Sequence, residues 1–290
     1  PLMTPFFETE GERASLQSLT WGRKSDWIPT FCGTAGSLAV EGMLLAPVGE
    51  RGFLYQLTVR STSDKPLSST FGLEGCWASA WHCVNEDKEI DGARRCYTSL
   101  WNDSLIFDMR CGLPLFAFAP MMDQPCSSTF QETDAGIVYR LAHACTLEPG
   151  EAVTVTFYWG VGFEEVAAAT SAKEMLRQGW QHELQVTTDW LDARRWPIPD
   201  AQLERLYNTN LFFCLFYSAG ITLDTEELVL VTSRSPRYYV SAAYWDRDSL
   251  LWSFPTVVDA DPALARRMLD YVFGRQRRNL GVHSRYIDGT

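Results

Sequence analysis

The chain has 290 residues, 46% hydrophobic and 21% charged. That balance excludes a disordered or collagen-like polymer and, at about 100–200 residues per domain, predicts two packed domains. Its 25 basic and 36 acidic residues leave a net charge of −11, which repels phosphate backbones and anionic lipid, so neither nucleic acid nor a membrane is expected as a partner.

From about residue 14 to 160 the sequence runs in short apolar or alternating stretches punctuated by Gly, Pro, Asn and Asp, the pattern of an all-β domain. Phe53–Val59, Gly136–Leu141 and Ala152–Trp159 read as strands, the last entered through Pro149-Gly150. Strands so closely spaced, with no helical period between them, predict two stacked antiparallel sheets, a β-sandwich over residues 1–162. At Phe163 the character changes: Glu164-Glu165-Val166-Ala167-Ala168-Ala169 opens a helix-forming run to about Leu191, so residues 163–199 are expected to form a helical linker. His182-Glu183 is expected on its exposed side, and Gly160-Val161-Gly162 is a lone GxG.

Residues 200–290 read as helical. Asp200 is placed to cap a helix bearing Leu203, Leu206, Tyr207, Asn210 and Leu211 on one face, and Phe212–Tyr217 is apolar on every side, predicting burial all round. A further helix is expected to open near Asp246 and run to about Thr256. The last has Asp261 as N-cap and Pro262 at its first position, with Arg275, Arg277 and Arg278 suiting its negative end. Three helices after the linker do not satisfy one another's apolar surface, so the natural polypeptide is expected to continue past Thr290.

Pro1-Leu2-Met3-Thr4 lacks the features of a signal peptide, and no run of about 18 or more apolar residues predicts a membrane span. Eight cysteines, at 32, 76, 83, 96, 111, 126, 145 and 214, form no CxxC pair and have no matching His spacing, so no metal site is expected. They read as small buried apolar residues in a reducing, cytoplasmic setting, with the even count leaving disulfides open.

Familiar phosphate, nucleophile and zinc-protease motifs are missing. The one dense constellation is Tyr238–Trp252, in which Tyr244-Trp245-Asp246-Arg247-Asp248 joins aromatic faces, two carboxylates and a guanidinium at a loop-to-helix junction. Carboxylates accept hydrogen bonds from vicinal hydroxyls, Arg donates in a fixed fork, and an aromatic ring covers the apolar face of a pyranose, so the set suits sugar recognition. On residue types alone, helix capping, a local ion pair and core packing account for it better.

The Tyr244–Trp252 run resembles the aromatic-x-Arg-Asp-[Ser/Ala/Thr] signature of six-hairpin (α/α)6-barrel glycosidases, the glucoamylase and glycogen-debranching types and related α-mannosidases. Asn279–Thr290 resembles the loop after the third barrel helix of those enzymes, and Leu147-Glu148-Pro149-Gly150 the close of their N-terminal sandwich. The resemblance implies a β-sandwich, a helical linker and the first helices of an incomplete barrel, with a glycoside hydrolase acting on α-glucosides or α-mannosides. It implies no metal or organic cofactor and leaves a homo-oligomer open. Arg247 and Asp248 match the pair that grips the terminal sugar and Trp245 the neighbouring aromatic. Tyr244, Asp246, His283 and Arg285 are further candidates for substrate contact, and Asp288 lies in the same loop. An Arg neighbour and a helix N-terminus both favour the charged form of Asp248, so it is expected to accept hydroxyls rather than act as the acid. The general acid and base, two carboxylates in most such enzymes, are expected beyond Thr290. The alternatives are a non-catalytic carbohydrate-binding protein of the same fold and a phosphorolytic relative.

Overall fold

The computed structural model describes residues 2–78, 81–82, 88–89, 93–100, 102, 104–110, 116–221, 227–233, 243–276 and 284–286; side chains at 81–82, 88–89, 116, 243–246, 275–276 and 284–286 are outside the description. The chain divides into two compact units, Pro1–Ser79 with Asp91–Trp190, and Ala80–Ile90 with Leu191–Thr290.

In chain order the strands up to residue 162 are β1 (Thr4–Thr9), β2 (Glu12–Ala14), β3 (Leu16–Lys24), β4 (Ile28–Ala35), β5 (Leu38–Leu45), β6 (Gly52–Ser61), β7 (Leu67–Trp77), β8 (Trp81–His82) and β9 (Lys88–Glu89), these two belonging to the second unit, then β10 (Ala93–Thr98), β11 (Leu105–Arg110), β12 (Phe116–Met122), β13 (Ser127–Thr133), β14 (Gly136–Leu147) and β15 (Ala152–Gly162). Except for the β8–β9 pair they form a five-stranded sheet, β13-β14-β7-β1-β2, and an eight-stranded sheet, β10-β11-β12-β15-β6-β5-β4-β3. Pairing is antiparallel throughout both. The strands expected from the sequence lie within β6, β14 and β15, and Glu148–Glu151 makes the turn into β15, closed by a 2.9 Å hydrogen bond from the Glu151 N–H to the Glu148 carbonyl.

Alternation sends one side of each sheet inward. Trp77 and Tyr139, from the five-stranded sheet, meet Phe107, Phe118 and Trp159 from the eight-stranded sheet. Ring centroids lie 4.9 Å apart for Trp77–Phe118, 5.1 Å for Phe107–Tyr139 and 5.8 Å for Tyr139–Trp159, and all five side chains are buried. Aromatic burial of this kind supplies much of a sandwich's apolar stabilisation.

The linker region is two helices, not one run: α1 (Glu165–Gln178) ends at Gly179, whose φ of 84° breaks the winding, and α2 (Trp180–Asp192) follows. Helix α1 lies on the outer face of β11, β12 and β15, where Ala168 and Ala169 pack on Ile106, Ala117 and Ala119. The lone GxG belongs to this contact: Gly160 gives the helix backbone its place against β15.

On α2, His182 is exposed as expected, but Glu183 is buried, only 3% exposed, with Oε1 lacking a hydrogen-bond partner. Burial, reinforced by Glu50, pushes the Glu183 carboxyl above its ordinary value. A carboxyl raised by folding binds its proton more tightly in the native state, so the stability it allows falls as pH rises from its unfolded value through its folded one. Glu183→Met should therefore raise the melting temperature of the sandwich unit at pH 7 by about 2–6 °C, from roughly 1–2 kcal/mol of relieved desolvation. The gain should shrink toward pH 4; calorimetric scans across that range check it.

In the second unit, α3 (Ala201–Ser218) is capped as predicted, with Asp200 Oδ1 accepting the N–H groups of Gln202 and Leu203 at 2.9 Å each. The expected burial all round is not found: Leu211, Phe212 and Leu215 are buried, whereas Phe213 and Tyr217 are 48% and 37% exposed. Apolar neighbours cover only one side of this helix among the described residues. After α3 come β16 (Ala219–Ile221), β17 (Leu228–Leu230), β18 (Ala243–Trp245), α4 (Asp246–Asp248), a π-helical turn at Ser249–Ser253, α5 (Phe254–Ala260), α6 (Pro262–Gln276) and β19 (Ser284–Tyr286). Helix α5 packs on α3 and α6, and α6 on β17.

Asp261 caps α6, its Oδ1 accepting the Leu264 N–H at 2.9 Å, and its other oxygen pairs with Arg194. Burial raises the Asp261 carboxyl, but the Leu264 N–H and Arg194 outweigh it and hold it below its ordinary value. Asp261→Ala should cost about 1–3 kcal/mol at pH 7 from the lost cap and charged hydrogen bonds. Because the folded carboxyl is depressed, that difference is present above its unfolded value and disappears as pH falls through the folded one, which urea unfolding at pH 7 and pH 3 would show.

The cysteines differ from expectation. Of the six described, Cys96 alone is buried, Cys76, Cys126 and Cys145 are half-buried, and Cys32 and Cys214 are exposed, with none of the six in a disulfide. Cys32 sits on the outer face of β4 and Cys214 on an exposed side of α3. Cys83 and Cys111 lie outside the described residues.

Candidate functional site

Strand β18 and helix α4 are contiguous, so Tyr244-Trp245 is an extended pair leading straight into Asp246-Arg247-Asp248 as a helical turn. The partner of β18 is β19: Ala243 lies opposite Tyr286, Tyr244 opposite Arg285 and Trp245 opposite Ser284 in an antiparallel ladder. The two segments that carry the sequence signature, some 40 residues apart, thus meet through their backbones.

The turn is fixed from below. Ser249 and Ser253 are both buried, and Thr232 reaches both: its hydroxyl is 2.8 Å from the Ser249 hydroxyl, and its carbonyl accepts the Ser253 hydroxyl at 2.9 Å. The stretch holding Thr232 is itself anchored, since the Val231 N–H donates to the Ser218 carbonyl at the end of α3 at 2.9 Å. This clamp spans the π-helical turn, a wider winding that opens the backbone and recurs near functional positions. Sequence reasoning missed it. The available signal was a pair of serines at i and i+4 inside an otherwise apolar helix, where a hydroxyl must find a partner.

Above the clamp, the Arg247 Nε–H donates to Asp248 Oδ1 at 2.9 Å. The Arg247 side chain is 81% exposed and that of Asp248 18% exposed. Asp248 makes no capping hydrogen bond to the helix backbone, so its carboxylate is not consumed as a cap. The arrangement presents a guanidinium and a carboxylate oxygen together at the start of a helix, a donor and acceptor set matched to paired hydroxyls.

Of the other candidates, Tyr244, Trp245, Asp246 and Arg285 are positioned by backbone alone, their side chains lying outside the description, and His283 and Asp288 lie outside the described residues, as do Arg277 and Arg278. Arg275 falls in the last turn of α6. Trp252, at the end of the signature run, is exposed. No cluster of three or more His, Cys, Asp or Glu suited to a metal occurs among the described residues, and no helix of theirs is long and apolar enough to cross a membrane.

No protein-family model matches the sequence, and no curated protein matches it. Among solved structures, one described as a kojibiose phosphorylase from the human microbiome superposes with a TM-score of 0.62 at 11% identity, over 92% of this chain and 37% of that one. A bacterial glucoamylase complexed with acarbose superposes with a TM-score of 0.57, also at 11% identity, over 99% of this chain and 46% of that one. The chain therefore spans less than half the length of either. At this identity the likeness is one of fold: over most of its length this chain shares the fold of the matching parts of those two proteins, in keeping with the β-sandwich followed by helices that the sequence implied.

Proposed function

We propose that this chain is the N-terminal sandwich and the first helices of a carbohydrate-active enzyme that hydrolyses α-linked glucosides or mannosides. Arg247 and Asp248 grip the terminal sugar in this reading. The observation that carries it is the β18–β19 ladder, which sets Arg285 opposite Tyr244 and brings both signature segments to the Arg247–Asp248 turn. Asp248 accepts from vicinal hydroxyls, Arg247 orients it and donates to a neighbouring oxygen, and Trp245, the neighbouring aromatic of the signature, is the platform for the sugar ring. In this reading Asp248 binds sugar, and the acid and base that deliver the proton and activate water are other carboxylates.

Calorimetric titration of maltose and α-mannobiose into the chain tests this. Binding of at least one is expected, with loss on Asp248→Ala; no binding of either would overturn it. The neighbour described as a kojibiose phosphorylase favours a second reading, in which phosphate takes the place of water. Product analysis of the polypeptide carrying the remaining helices separates the two: free sugar with or without phosphate indicates hydrolysis, and a sugar phosphate formed only when phosphate is added indicates phosphorolysis.

A further inference from the structure

Within the sandwich unit, a groove of about 450 Å³ crosses β3, β4, β5 and β6 on the outer face of the eight-stranded sheet, walled on one side by Trp180 and Leu184 of α2. The registers fix which side chains form its floor. Thr20, Cys32, Glu41 and Thr58 lie opposite one another in one cross-strand row, and two residues along, on the same face, run Gly22, Thr30, Met43 and Gln56. The intervening row, Trp21, Phe31, Gly42 and Leu57, points to the other side of the sheet, where Phe31 and Leu57 are buried in the core.

The floor is therefore rich in hydroxyl, amide and carboxylate groups, and it is held in place. Thr58 is hydrogen-bonded to Thr154 at 2.8 Å, and Gln56 Nε2 donates to Thr156 at 3.3 Å. The wall is pinned as well: the Trp180 N–H donates to the Tyr158 hydroxyl at 3.0 Å, and the Val48 N–H to the Thr187 hydroxyl at 3.2 Å. Trp180 is half-buried and lines the groove. Lys24 and Glu41 place one charge of each sign along it.

We propose that this groove binds a neutral oligosaccharide. A threonine hydroxyl both donates and accepts, so one internal bond does not saturate it, and a set of such groups beside an aromatic face matches a polyhydroxylated ring with one apolar side. The volume lies in the range of ligand sites. An anionic ligand meets a protein of net charge −11, and an apolar peptide would bury the polar floor without satisfying it. The ligand class follows from the groove itself and does not rest on the reading of Arg247 and Asp248.

The test uses the Asp248→Ala chain, in which the helical-unit site is weakened, titrated with maltoheptaose and with an α-mannopentaose. At least one is expected to bind. Trp180→Ala in that background should weaken binding at least tenfold, and Gln56→Ala, which leaves α2 untouched, several-fold, with circular-dichroism melting confirming that each variant is folded. Binding of neither sugar, or binding unchanged in a folded Gln56→Ala and Trp180→Ala pair, overturns the proposal.

Discussion

Asp248→Ala is expected to weaken saccharide binding by roughly 10- to 100-fold, the equivalent of about 1.5–3 kcal/mol carried by hydrogen bonds to a charged group. The same substitution should barely move the melting temperature. Asp248 caps nothing, and its partner Arg247 is mostly exposed, so their ion pair contributes little to folding. That combination distinguishes a binding residue from a structural one, because a carboxylate that stabilised the helix would lose stability on removal and leave affinity alone. Asp248→Asn keeps shape and one acceptor while removing the charge, and should fall between wild type and alanine. Arg247→Ala should weaken binding too. A double-mutant cycle should give less than additive losses, since each residue positions the other. Equal affinity in wild type and Asp248→Ala, measured with a disaccharide that fills only the terminal subsite, would remove the pair from recognition.

What the sequence made legible was local. Asp200 and Asp261 announced their helices because a cap needs only the next three residues, and β6, β14 and β15 were readable because alternation and turn residues are written within each strand. Arg247 and Asp248 were readable as a unit because they adjoin. The rest depends on partners far along the chain. Gly179 sits in a run of good helix formers, and only its backbone angle reveals the break. Glu183 resembles any exposed helical carboxylate until the folded chain buries it. The burial of a helix face is set by what packs on it, so the wholly apolar Phe212–Tyr217 stretch predicted more cover than α3 receives among the described residues. The Thr232 clamp needed a residue 17 positions before Ser249, and the β18–β19 ladder needed one about 40 positions on, distances at which periodicity carries no information.

Gly160→Val should cost about 3 kcal/mol or more and lower the melting temperature of the sandwich unit by at least about 6–12 °C. A Cβ at Gly160 would stand 2.0 Å from the Ala168 carbonyl oxygen and 2.4 Å from the Ala172 nitrogen. Both are backbone atoms of α1, so no change of rotamer relieves the overlap and the helix must lift from β15. Lifting it exposes Ala168, Ala169, Ala172 and Met175, all fully buried now, and the apolar transfer energy lost along that seam adds to the strain. A glycine with room around it should behave in the opposite way: Gly274, in α6, has nothing within 4 Å of an added Cβ, so Gly274→Ala should stabilise by about 0.5–1 kcal/mol through helix propensity alone. The source of the Gly160 penalty can be separated from an ordinary side-chain clash by combining Gly160→Val with Ala168→Gly. Trimming a methyl group leaves the carbonyl where it is, so the double variant should be no more stable than the single one, and recovery would mean that the backbone of α1 does not set the spacing between helix and sheet.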